Sequence, residues 1–260
     1  MASSAKFMVE EDRIVLIALL SDIHANREAY EACLAAADRL GAERLVILGD
    51  IVGYGPDPEW CVEKTRALQD AGALVIRGNH DQACKEASET MTDAARRAMD
   101  WTRNQLSDDA RRYLGSLPMS LNDEDRLYIH AEASEPARWR YVLSSDEAAR
   151  HLGACKATVS FCGHTHRPAL YSLSPTGKVT HFTPCSDQAI PLSASRRWLA
   201  VMGAVGQPRD DNSKAAIGLY DTEARTLRYL RVSYDIDKTV GKIHAACLPE
   251  SLAGRLMAGR

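Results

Sequence analysis

The 260-residue chain lacks the marks of several large protein classes. It has no Cys-x-x-Cys pair, and its seven cysteines are an odd set, which argues against both a disulfide framework and a structural zinc knot. Free thiols suit a reducing cytoplasm. It has no long apolar run. The first strongly apolar stretch, Ile14 to Leu20, directly follows Glu11, Asp12 and Arg13 and is too short to span a bilayer. A secretory cleavage pattern is also missing, so no membrane partner is expected. Positive charge is not in excess: the formal net charge is −3, which gives no reason to expect a nucleic-acid polymer as partner. No internal repeat or low-complexity segment appears.

What is present is the composition of an ordinary globular protein, 45% hydrophobic and 26% charged. The expected organisation is a leader over residues 1–13 and one domain over 14–260 with a single sizeable core. Ile14 to Leu20 reads as a buried strand, because it is continuously apolar and rich in branched residues. A helix follows from about Arg27 to Leu40, then a strand from Arg44 to Leu48. Asp57 is the expected N-cap of the next helix, with Pro58 at its first position. Strand Ala73 to Arg77 completes a strand–helix alternation typical of an α/β sheet with its site at the strands' carboxyl ends.

From about 82 to 120 the pattern turns helical, including Asp93 to Leu106 and a segment capped by Ser107, and reads as an insertion or lid. Strands resume at Arg126 to Ile129 and Ala157 to Cys162. After Pro168 the chain reads as β: Ala169 to Leu173, Val179 to Pro184, Trp198 to Val205, Ala215 to Tyr220 and Thr226 to Tyr234. A terminal helix is expected from about Ile236 to Ala246.

Five of the eight histidines fall in one ordered series with carboxylates and an amide: Asp22-Ile23-His24, Gly49-Asp50, Gly78-Asn79-His80-Asp81, His130 and Gly163-His164-Thr165-His166. Each segment follows a strand-like run. Hydrolysis of a phosphate ester near neutral pH needs a nucleophile, neutralised charge at phosphorus and a proton for the leaving oxygen, and two metal ions supply the first two. The expected set places Asp22, His24 and His166 on one ion and Asn79, His130 and His164 on the other, with Asp50 as the bridge. A mixed oxygen and nitrogen shell without thiolate suits manganese first, then iron, nickel or zinc. His80 is left as general acid, with Asp81 behind it to orient its ring.

In these blocks the chain resembles the calcineurin-like metallophosphoesterase superfamily, whose motifs are Asp-x-His, Gly-Asp-x-x-Gly, Gly-Asn-His-Asp/Glu, a lone His and Gly-His-x-His. All stand in order from Asp22 to His166, and Gly53 completes the second. The resemblance implies a four-layer α-β-β-α sandwich of two mixed β-sheets flanked by helices. It also implies direct attack by a metal-bound hydroxide on a small phosphate-ester substrate. Ser21 to Asn26, Gly49 to Pro56 and Val205 to Arg209 are typical of its small bacterial and archaeal phosphodiesterase branch. Protein phosphatases and dinucleoside tetraphosphatases carry an arginine after the Gly-Asp block, where this chain has Gly53-Tyr54-Gly55. Relatives often read Asn-Pro-Gly-Ser where this chain has Val201-Met202-Gly203-Ala204.

Around this set stand residues with two readings. Asn26 either contacts the substrate phosphate or caps the following helix. Arg138 is a candidate for the mouth of the site; Trp139 suits core packing better. Arg209 either steers a phosphate or belongs to a surface hairpin, and Asp81 either orients His80 or caps a helix. Glu132 is expected in solvent and Cys162 in the core, while His151, His181 and His244 are expected to be structural or exposed.

Overall fold

The computed structural model describes residues 15–85 and 92–260, so the expected leader and the stretch 86–91 of the expected insertion lie outside the described residues. In chain order the first elements are β1 (Leu16–Leu20), α1 (Arg27–Arg39), β2 (Arg44–Ile47), α2 (Pro58–Asp70), β3 (Leu74–Val75) and a short α3 (Asn79–Ala83). Then come α4 (Asp93–Gln105), α5 (Asp108–Ser116), β4 (Ser120–Asp123), β5 (Arg126–Ile129) and a 3-10 turn at Pro136–Arg138. The chain continues through α6 (Ser145–Ala154), β6 (Val159–Cys162), β7 (Ala169–Leu173), β8 (Val179–Phe182) and β9 (Ile190–Pro191). It ends with β10 (Arg197–Val201), β11 (Ala215–Asp221), β12 (Thr226–Val232), α7 (Ile236–Ala245) and α8 (Glu250–Ala258).

Two mixed six-stranded sheets result, in the orders β3-β2-β1-β11-β12-β9 and β4-β5-β6-β10-β7-β8. Alternation along the strands explains the layers, because successive side chains leave a strand on opposite faces. In β1, Ala18 and Leu20 face the helices α1 and α2 while Ile17 and Leu19 face the second sheet. In β5, Tyr128 joins the core between the sheets; Leu127 and Ile129 pack with Ala148 and Leu152 of α6 on the outside. Both faces of the central strands are therefore buried, so they read as continuous apolar runs rather than as alternating ones. The helix–sheet–sheet–helix order is the expected four-layer sandwich.

The expected insertion differs in character. Leu106, Ala110, Leu114 and Leu117 belong to the same core as α1 and α2, and Ala98 packs with Ile243, Leu252 and Leu256 of α7 and α8. α4 and α5 are thus built into the outer helical layer, and the stretch ends in a strand, β4, paired with β5. Two further helices depart from the expected pattern. α6 begins at Ser144 with a capping box closed by Glu147, and α8 follows Pro249. Asp57 occupies the N-cap position of α2 without a side-chain cap, because its carboxylate accepts from Lys242 Nζ at 2.8 Å instead.

β1, β2 and β3 run parallel, as do β5, β6 and β10. Their carboxyl ends converge on one edge of the sandwich, and Ile23 to Asn26, Asp50, Asn79, His130 and His164 to His166 all lie just beyond those ends.

Candidate metal centre

The strand ends bend sharply before they deliver their side chains. Asp22, His24, Asp50, His164 and His166 all take left-handed backbone, with φ between 49° and 68°. Such a conformation costs an ordinary residue about 1–3 kcal/mol and clusters at functional sites. The bends fit only because neighbours are small: a Cβ on Gly163 would lie 1.8 Å from Ser21 Oγ and 2.6 Å from Asp22 Oδ2.

The bends bring together two overlapping groups of buried ligand atoms: Asp22, His24, Asp50 and His166 in one, Asp50, His130 and His164 in the other. Asp50 is common to both. Its Oδ2 lies 3.7 Å from His24 Nε2 and 3.4 Å from His130 Nε2, while Oδ1 accepts from the His80 backbone N–H at 2.8 Å. Asn79 stands at the second group, its Oδ1 3.2 Å from His130 Nε2.

The hydrogen bonds behind the histidines decide what this cluster can bind. His24, His130 and His166 donate through Nδ1 to the carbonyls of Val52, Leu48 and Gln207, at 3.1, 2.6 and 2.6 Å. His164 donates through Nε2 to the carbonyl of Trp139 at 2.8 Å. A carbonyl can only accept, so each ring's proton is committed outward and its other nitrogen turns a lone pair inward. Two of these lone pairs, on His24 Nε2 and His166 Nε2, face each other across 3.1 Å. Asp22 Oδ1 lies 3.2 Å from His166 Nε2, fully buried and without a hydrogen-bond partner. Its Oδ2 is held by Ser21 Oγ at 2.6 Å and by the His164 N–H at 3.1 Å. Converging lone pairs and an orphaned carboxylate oxygen are unfavourable beside one another unless a cation sits between them, and the donor set fits divalent metal ions.

The electrostatics agree. Burial alone would raise the two carboxyls, yet the surrounding histidines, His166 first for Asp22 and His130 first for Asp50, hold both well below the usual carboxylate range. Burial likewise opposes a cation at His130, but the charge of Asp50 lifts it to about 9, so with no metal bound a proton takes the inward nitrogen that a metal ion would otherwise occupy. Burial lowers His164 to about 3 and His80 to about 4.

The remaining candidates part company here. His80 is buried against the cluster, its ring 4.9 Å from that of His24. Its Nδ1 lies 3.2 Å from the Met99 sulfur, and a Cβ on Gly53 would come within 2.5 Å of the same nitrogen. Asp81 does not orient this ring. Its Oδ1 accepts from the N–H groups of Ile51 and Val52 and its Oδ2 from Gly78, which closes the first turn of α3, and burial lifts it to about 7. Asn26 does not face a phosphate either. Its Oδ1 caps α1 through the Ala29 N–H and accepts from Thr239, and its Nδ2 donates to the Gly206 carbonyl. Arg138 is exposed and tied to Glu135 at 2.9 Å.

Arg209 does reach the rim. Its backbone N–H donates to His166 O, and its guanidinium donates to Tyr54 Oη at 3.4 Å and Gln207 Oε1 at 3.1 Å, with Nε unpaired. Glu132 is fully buried, contrary to the solvated reading, because Ser134 and Arg150 satisfy its carboxylate. Trp139 is half-buried and stands edge-on to the His130 ring at 5.8 Å. Two neighbours have no role assigned from the sequence. Tyr54 packs its ring 4.6 Å from His24 and 4.5 Å from His80, and Tyr141 stacks on His164 at 4.2 Å. Tyr54 lies inside the Gly49 to Pro56 block, where its spacing from Asp50 was a usable signal; no comparable pattern marks Tyr141.

Comparison with known proteins points the same way. The family model for the calcineurin-like phosphoesterase superfamily domain matches residues 15–225. An uncharacterized protein of Methanocaldococcus jannaschii is 32% identical over 253 residues, covering 94% of this chain and 98% of its own. A metallophosphoesterase from Sphaerobacter thermophilus superposes with a TM-score of 0.84 at 36% identity, covering 95% of this chain and 100% of that one. A symmetrical bis(5'-nucleosyl)-tetraphosphatase of Chromohalobacter salexigens is 27% identical over 144 residues, 50% of this chain and 47% of that protein. With paired buried ligand groups at the carboxyl edge of a two-sheet sandwich, and a family match that spans every one of those ligands, the chain belongs to the calcineurin-like phosphoesterase superfamily and is a metal-dependent phosphoester hydrolase.

Proposed function

We propose that the protein hydrolyses phosphodiesters at a dinuclear centre, with Asp22, His24 and His166 on one ion, Asn79, His130 and His164 on the other and Asp50 between them. The observation that carries this reading is the commitment of four histidine protons to backbone carbonyls around a carboxylate that both groups share. Two divalent ions, when bound, supply Lewis acidity to the phosphoryl oxygens and acidify water. Manganese is the metal of choice for so thiolate-poor a shell. The seven free cysteines suit a reducing compartment, the cytoplasm. Among the described residues no helix is long and apolar enough to cross a membrane.

The chain's own groups divide the remaining work. His80 holds the proton for the departing oxygen. Burial holds its basicity down, and the charges of Asp50 and of an incoming phosphate work against that, because the neighbour at Nδ1 is a thioether, a weak acceptor, and not a carboxylate. Arg209, steadied by Tyr54 and Gln207, supplies the positive charge at the rim that attracts a phosphoryl oxygen. A single guanidinium at the rim matches the one negative charge of a diester better than the two of a monoester.

A second reading, cleavage of dinucleoside polyphosphates, is favoured by the similarity to the Chromohalobacter enzyme over half of the chain. Parallel assays of manganese-loaded protein on bis-p-nitrophenyl phosphate, p-nitrophenyl phosphate and diadenosine tetraphosphate separate the readings. Fastest turnover of the first supports diester hydrolysis, and fastest turnover of the third replaces it. Less than one bound ion per chain after manganese or iron supplementation would instead indicate a scaffold that has lost catalysis.

A further inference from the structure

Beside the second ligand group the surface is aromatic. After the 3-10 turn at Pro136–Arg138, Trp139 takes φ 50°, a left-handed conformation that bulky residues rarely adopt. This turn sets the Trp139 carbonyl on His164 Nε2 and brings the following chain back over the same imidazole. Tyr141 lies flat on it, with centroids 4.2 Å apart and planes 11° from parallel. Among the described residues this is its one ring contact. The residue is 45% exposed, and its hydroxyl makes no hydrogen bond among the described residues, so stacking alone orients the ring. Leu143, 62% exposed, adds apolar surface two residues on.

An aromatic ring held against a ligand and open to solvent on its other side has two uses. It keeps water from the imidazole, or it offers its outward face to a second planar ring. A shield alone would be served by an aliphatic side chain whose hydroxyl-free body stays covered. We infer that the outward face of Tyr141 is a stacking platform for a planar ring carried by the substrate, so that aromatic esters, nucleotide or aryl, are preferred over aliphatic ones. This rests on the phosphoesterase reading above and gives it a substrate class. Stacking of a base on an aromatic side chain changes affinity by a factor of about ten or more.

The test is calorimetric titration of the manganese-loaded protein with three phosphomonoesters that share a head group: adenosine 5'-monophosphate, phenyl phosphate and glycerol 3-phosphate. The wild type should bind one or both aromatic ligands about tenfold tighter than glycerol 3-phosphate. Tyr141→Ala should abolish that preference by weakening the aromatic ligands alone, and Tyr141→Phe should keep it. A preference for the adenylate only, or for phenyl phosphate only, supports the platform and names its ring. Equal binding of all three by the wild type overturns the inference, as does equal weakening of all three in Tyr141→Ala, which marks a shield for His164. If none of the three ligands binds the wild type, the placing of a phosphate ester at this centre falls, and this inference falls with it by a visibly different result.

Discussion

Two buried histidine environments meet at β6, whose Ser160 holds one and whose carboxyl end leads into the other, and they are opposites. In the metal centre, His24, His130, His164 and His166 each give one proton to a backbone carbonyl and turn the other nitrogen inward. Behind it, His151 of α6 accepts the Ala133 N–H on Nδ1 at 3.2 Å and donates from Nε2 to Ser160 Oγ at 2.7 Å. Every polar atom of that second ring is satisfied by the protein itself, so it is a complete knot that asks for no ligand. The first environment is incomplete without a cation. The rings are buried in both; the direction of one hydrogen bond per ring tells a site from a strut.

The largest effect is expected where the incomplete environment is held together. Asp50→Ala removes the carboxylate shared by both ligand groups, and bound metal should fall from about two ions to below one per chain with turnover at background. Elemental analysis beside a diesterase assay reads both; two ions retained in the variant would show that Asp50 is not the bridge. His80→Ala comes next. It should keep the metal and lower kcat by roughly 100- to 10,000-fold, the usual worth of a positioned proton donor. Full activity would remove His80 from its role.

Much of this was legible in the residues themselves, for physical reasons. Metal ligands must be particular residue types at strand ends, so Asp22, His24, Asp50, Asn79, His130, His164 and His166 announce themselves in order. The groups that hold the histidine rings do not, because Val52, Leu48, Trp139 and Gln207 act through carbonyls that every residue possesses. Asp81 next to His80 reads as its partner, but in a helix adjacent side chains point about 100° apart, and the carboxylate turned back to the Gly78 N–H. β4, with its polar Ser120–Asp123, carries no apolar alternation to betray it, whereas α6 was findable from Ser144 and Glu147, a capping-box pair at the required spacing.

The closed knot should declare itself in stability and not in metal. Burial lowers His151 from 6.5 to about 4, so the folded state keeps the ring neutral while the unfolded chain takes up a proton below pH 6.5. The unfolded state therefore binds more protons, and stability falls as pH drops through 6.5 toward 4. Between pH 7 and pH 5 this loss is about 2 kcal/mol. Site histidines titrate over the same range, so the measurable quantity is a difference. In chelator-treated protein, denaturant unfolding of His151→Gln should show a shallower fall from pH 7 to 5 than the wild type by about that amount. Equal slopes would mean that His151 is solvated in the native state.

The smallest expected effect separates two serines with mirrored roles. Ser21 Oγ donates to Asp22 Oδ2 at 2.6 Å, and Ser160 Oγ accepts from His151 at 2.7 Å; both side chains are fully buried. Ser21→Ala leaves Asp22 Oδ2 with only the His164 N–H, so the carboxylate can rotate and its metal affinity should drop about tenfold, the low end for a lost outer-shell partner. Ser160→Ala strands the His151 Nε2–H and should cost about 1–2 kcal/mol of stability with metal affinity unchanged. Metal titration and denaturant unfolding on both variants give four numbers. If Ser160→Ala weakened metal binding as much as Ser21→Ala did, the knot behind β6 would be part of the centre's support, and the boundary drawn between the two histidine environments would have to move outward by one strand.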